Sequence, residues 1–142
     1  MTAENDKRAY GSGFMYAEDL LQGGKFHTVT VEIAEVHEPG TLKSADGKLI
    51  DKYVIGFKGK EKRLCLAKTN VAIIHLVTGE QPGEGWIGKR ITLQAREVKA
   101  FGANTLALRV IPPTGTPLRR TLYERMGKEA VYQPPEENPT SA

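Results

Sequence analysis

The chain has 142 residues, 39% hydrophobic and 26% charged, with a single cysteine and a formal net charge of +3. That length can bury a core without disulfides or a structural metal, so one domain with short tails is expected. No run approaches the roughly 20 apolar residues of a membrane span; no apolar stretch follows the first charges, and lone Cys65 cannot form an internal disulfide. These features exclude a membrane protein and predict a reducing cytoplasm.

Residues 1–24 mix Gly, Ser and charge with a short apolar cluster, Phe14, Met15, Ala17, Leu20 and Leu21, and predict an N-terminal arm with one helical turn. From Lys25 the pattern changes to alternation. Val29, Val31 and Ile33 share one face and Thr28, Thr30 and Glu32 the other, the period of a half-buried strand reaching about Val36. The turn-rich stretch 38–48, with Asp46-Gly47, predicts a mobile loop. Leu49 to Phe57 then reads as a strand, Lys58-Gly59-Lys60 as a tight turn, and Glu61 to Leu66 as its hairpin partner.

At Lys68-Thr69-Asn70 the period lengthens. Val71, Ile74 and Val77 lie three apart, with Ile73 and Leu76 beside them, which predicts one helix of about ten residues. Thr69 or Asn70 is the expected N-terminal cap and Gly79 the C-terminal one. After the Gln81-Pro-Gly-Glu-Gly85 loop, Lys89 to Phe101 and Asn104 to Ile111 read as two strands joined at Gly102-Ala103. Residues 112–132 form a C-terminal extension, in which Thr116-Pro117 could open an amphipathic helix carrying Leu118, Leu122 and Met126. The Pro-rich tail 133–142 is expected to be disordered.

The order β-β-β-α-β-β over residues 25–111 matches a mainly β, five-stranded oligonucleotide/oligosaccharide-binding (OB) Greek-key barrel, in which the helix plugs one end between strands three and four. Closure is expected because an open five-stranded sheet leaves two unpaired edges.

Charge is unevenly spread, since residues 25–111 hold fourteen basic and nine acidic side chains while 112–142 hold four of each. Lys58, Lys60, Lys62, Arg63 and Lys68 oppose only Glu61. Such a patch attracts polyanions through counterion release, and it equally suits an edge strand kept soluble by lysines. OB barrels bind single strands with cations along the phosphates and aromatic faces under the bases. The candidates on the face of strands two and three are Lys52, Tyr53, Phe57, Lys58, Lys60, Lys62, Arg63 and Lys68, with Lys43 and Lys48 on the first loop. Lys89, Arg90, Arg96, Lys99 and Phe101 adjoin them.

Tyr53 and Phe57 share one face of their strand, so they are either stacking platforms or core. Aromatics in such strands are core more often, and of the two Phe57 is the better candidate for exposure, because a turn follows it. Trp86 is expected to cover an end of the barrel. His27, His37 and His75 lack metal-ligand spacing, Cys65 has no evident base, and Glu18-Asp19 has no catalytic partners, so neither a metal, a cofactor nor an enzyme is expected.

The strings Phe57-Lys-Gly-Lys60, Leu64-Cys-Leu-Ala-Lys-Thr-Asn70 and Trp86-Ile-Gly-Lys-Arg-Ile91 resemble a family of small OB-fold proteins encoded by bacteriophages, prophages and plasmids, over about residues 17–110. Ala67 stands where that pattern commonly has Asn. The resemblance implies binding of single-stranded DNA, largely without sequence preference, in replication or recombination of a mobile element, with replication or recombination proteins as partners. The alternative expectation is an OB module for protein interaction that binds no nucleic acid. An edge strand or segment 117–126 could also support a homodimer.

Overall fold

The computed structural model of the protein describes residues 10–100 and 102–132. The predicted disordered tail, the first nine residues of the predicted arm and candidate Phe101 lie outside the described residues. Alternating apolar residues build β3 (Val29–His37), β6 (Arg90–Ala100) and β7 (Ala103–Ile111), while β4 (Val54–Phe57) and β5 (Leu64–Cys65) are shorter than predicted. Ahead of them, β1 (Leu21–Gln22) and β2 (Lys25–Phe26) form a small hairpin around Gly23 and Gly24, whose φ values of +59° and +80° suit residues without a side chain. The main sheet is antiparallel in the order β5-β4-β3-β6-β7, and a C-terminal strand β8 (Lys128–Glu129) adds to β6 at Arg96 and Glu97, beyond the end of the β3 pairing. The protein is thus mainly β. Among the described residues no helix is long and apolar enough to cross a membrane.

The expected closed barrel is not formed, because β5 and β7 remain the two ends of the sheet path. The reason lies in the N-terminal segment. Met15 N donates to Arg63 O at 2.7 Å and Arg63 N to Gly13 O at 3.0 Å, so Gly13–Met15 occupies the edge of β5 that closure would use. The predicted helical turn is a 3₁₀ turn, Ala17–Leu20, that packs against β6 and β7 and buries Ala17 and Leu20 in the main core. Residues 13–20 are therefore part of the folded domain rather than a loose arm.

On the other side of the seam, helix α1 (Lys68–Thr78) turns Ile73 and Ile74 into the core, where both are fully buried with Ile33, Ile55, Trp86 and Leu93. Its last carbonyls are closed as the sequence predicts, by Gly79 at φ +74° with its N–H on His75 O. Its start differs from expectation. Ala67 occupies the N-cap with no side-chain cap, and Asn70, 1% exposed, serves another purpose. Its Nδ2 donates to Leu108 O at 2.9 Å and its Oδ1 accepts from Val110 N at 3.0 Å. One carboxamide satisfies both groups on the edge of β7, as a neighbouring strand would.

The C-terminal extension also docks. Helix α2 (Arg120–Met126) buries Leu122 and Met126, and Ala130 N bonds to Ala95 O, so the predicted amphipathic face finds its partner in the main core. The predicted mobile loop is tied down as well: Gly40 N bonds to Ile50 O, Ile50 N to Leu42 O and Ala45 N to Tyr10 O. A buried polar group left without its partner costs about 1–3 kcal/mol. Replacing Asn70 by Ala strands two such groups on β7 and is expected to lower stability by about 2–4 kcal/mol in urea denaturation, whereas Asn104→Ala, at an exposed site, should change little.

Candidate nucleic-acid interface

β4 sorts its side chains cleanly. Ile55 and Phe57 enter the main core at 0% and 4% exposure, while Val54 faces a separate small cluster on the outer side. The expectation that Phe57 is the exposed platform is therefore corrected: the turn after it begins at Lys58, too late to lift the ring from the core. Tyr53 is half-buried at the rim, its ring 6.3 Å from that of Trp86. Trp86 itself is fully buried in the main core and donates from Nε1 to Glu80 O at 2.9 Å, a structural place within an open sheet and not the cover of a barrel end.

The outer face of β4 and β5 is roofed over. Phe14, Ile50 and Val54 form the outer cluster, with Tyr10, Tyr16, Leu42 and Cys65 packed against it. The N-terminal segment and the first loop thus cover the centre of the surface nominated from sequence. A bulge in β3 between Ile33 and Glu35 shifts the alternation and places Glu35 opposite Gly56. A β-carbon on Gly56 would collide with the Glu35 stem, so glycine here lets the carboxylate lie across the strand and reach Arg63 Nε at 2.6 Å.

These contacts divide the predicted cations into two groups. Lys62 pairs with Asp19 at 3.1 Å, tying β5 to the 3₁₀ turn, and Arg63 pairs with Glu35. Arg96 donates to Gln94 Oε1 and to Gly127 O at 2.6 Å, clamping the C-terminal extension. Lys52, Lys58, Lys60, Lys68, Lys89, Arg90 and Lys99 are exposed and make no ion pair with another described residue.

Four of the exposed cations gather at one end of the sheet. Glu32 of β3 stands opposite Arg90 of β6, Lys58 N bonds to Glu32 O, and Ile33 N bonds to Lys89 O. Lys58 and Arg90 thus lie two strand spacings apart, about 10 Å, with Lys60 and Lys89 beside them. At the opposite end of β4, Lys52 and Lys68 flank a cleft of about 470 Å³ bounded by Tyr53, Leu66 and α1. Lys99 is on the β6–β7 hairpin, apart from both groups.

Sequence reasoning nominated Lys68 but missed Glu35, the strand-edge role of Asn70 and the rest of the cleft-facing stripe of α1. The interior strand glycine at 56 was the available signal for the first, since it marks a close approach.

Burial pushes the Cys65 thiol up to about 11, which keeps it protonated and unreactive at neutral pH. The hydrogen bond from Arg63 holds the Glu35 carboxyl below its ordinary range. No protein-family model, curated protein or solved structure matches the chain. The site is accordingly defined by its own geometry. Because the folded-state value of Glu35 is depressed, its contribution is present above the ordinary carboxyl value of about 4.3 and is lost as the pH falls through the lowered one. Urea midpoints measured down the acid range should therefore drop more steeply for the unmodified protein than for Glu35→Gln; parallel curves would contradict this assignment.

Proposed function

We propose that the protein binds single-stranded nucleic acid, DNA in the first place, without strong sequence preference and without catalysing a reaction. The observation that carries this reading is the convergence of Lys58 and Lys60 with Lys89 and Arg90 around Glu32, with Glu61 beside Lys60. Two segments that are separate in sequence supply the four cations. A row of exposed ammonium and guanidinium groups suits a phosphate backbone and carries no base information, which accounts for the expected sequence tolerance.

The fold supports the same reading. We read the open sheet as an OB variant: the path β5-β4-β3-β6-β7, with α1 between β5 and β6, follows the OB order and lacks only the pairing of its third and fifth strands. The phage, prophage and plasmid resemblance is consistent with a role in replication or recombination of a mobile element, in the cytoplasm and beside other proteins of that system.

A second reading, an OB module that binds protein, is favoured by one feature. The N-terminal segment and the first loop cover the outer face of β4 and β5, where OB proteins ordinarily take their ligand.

Anisotropy of a labelled single-stranded oligonucleotide separates the two. Binding at low ionic strength should weaken with salt, and joint reversal of Lys58, Lys60, Lys89 and Arg90 to Glu should lower affinity about tenfold or more and flatten the salt slope by roughly 0.7 for each lost phosphate contact. Reversal of exposed Arg119 and Arg120 should change it little. No binding at low salt, or equal losses from both sets, would overturn the proposed interface.

A further inference from the structure

The cleft at the other end of β4 has a composition that the cation row does not explain. Lys68, Val71, Ala72 and His75 lie three and four residues apart and form one stripe along α1, facing Tyr53 and Leu66 across the opening. Leu66 is 2% exposed and Val71 and Ala72 are partly buried, so the floor is apolar. Around that floor stand polar groups. His75 lines the cleft, and its Nδ1 lies 2.9 Å from Glu80 O, so Nδ1 donates there, since a carbonyl can only accept. The Tyr53 hydroxyl makes no hydrogen bond to another described residue.

Lys52 and Lys68 bring two positive charges to the rim, and among the described residues lining the cleft Asp51 is the one acid. The volume, about 470 Å³, is that of a small-ligand site. A flat apolar-faced ring with polar edges and an attached anion fits each of these features at once.

We infer that this cleft holds one nucleotide unit, its base against Tyr53 and the apolar stripe of α1 and its phosphate between Lys52 and Lys68. The inference rests on the nucleic-acid reading above and deepens it, adding a base-holding pocket to a phosphate-tracking row. Two sources offer the same chemistry: a terminal nucleotide of a strand and a free mononucleotide.

Trp86 is the chain's single tryptophan and neighbours Tyr53, so its emission reports occupancy. The full chain is titrated with thymidine 5′-monophosphate, inorganic phosphate, and an oligothymidylate with and without a 5′-phosphate, following Trp86 emission and, for the oligonucleotides, anisotropy. A saturable emission change is expected with a nucleotide-bearing ligand and none with inorganic phosphate, and Lys68→Glu and Tyr53→Leu should each weaken that response about tenfold or more. A mononucleotide as effective as the phosphorylated strand identifies the free nucleotide as the ligand; a strand response without a mononucleotide response identifies the strand. An unchanged Trp86 emission with every ligand, or a response indifferent to both substitutions, overturns the inference. Strand binding by anisotropy that persists in that case leaves the cation row standing and removes only the pocket, whereas loss of all strand binding removes the row as well.

Discussion

The carboxamide of Asn70 holds the seam of this molecule. β7 is an edge strand, and its Leu108 carbonyl and Val110 N–H end on the amide of a helical residue 38 and 40 positions earlier. Two well-aligned bonds from one rigid group fix the start of α1 both along and across the edge. Everything that faces the outer side of α1 inherits its position from that pin, including Lys68 and the stripe that ends at His75. The helix also has to sit there for Ile73 and Ile74 to fill the space inside the sheet. Packing and hydrogen bonding thus specify the same placement, which is the consistency a single native state requires.

Much of this architecture was legible in the sequence because it is local. Alternation located β3, β6 and β7, the change of period at Lys68 located α1, and Gly79 closed it where expected. The mistakes have one origin. Phe57 looked free because a turn follows it, yet its orientation is set by the whole sheet and not by its neighbours. Asn70 looked like a cap because its residue type and position suit one, and its partners on β7 lie far along the chain. Barrel closure was expected from the number of strands, while the segment that takes the edge of β5 carries no strand-like alternation at all.

The same distance effect divides the charged residues. Lys58, Lys60, Lys62 and Arg63 form one run in sequence, and the fold separates them into two roles. Lys62 and Arg63 meet acids contributed by the 3₁₀ turn and by β3, so they neutralise charge and join elements. Lys58 and Lys60 meet no such partner among the described residues and are brought instead toward Lys89 and Arg90. A count of basic residues in the stretch overstates the charge available to a ligand there and overlooks the cations that β6 adds.

The docking of the N-terminal segment has a consequence for the order in which the molecule is made. Phe14, Ala17 and Leu20 leave the ribosome before any surface that buries them exists, and the Asp19 contact with Lys62 spans 43 residues. β6 and β7, which cover the 3₁₀ turn, come later still. Phe14 can pack once Ile50 and Val54 are made, whereas Ala17 and Leu20 reach their full burial only after β6 and β7 are present. The 3₁₀ turn is thus made before the strands that cover it and waits for them to take its native place.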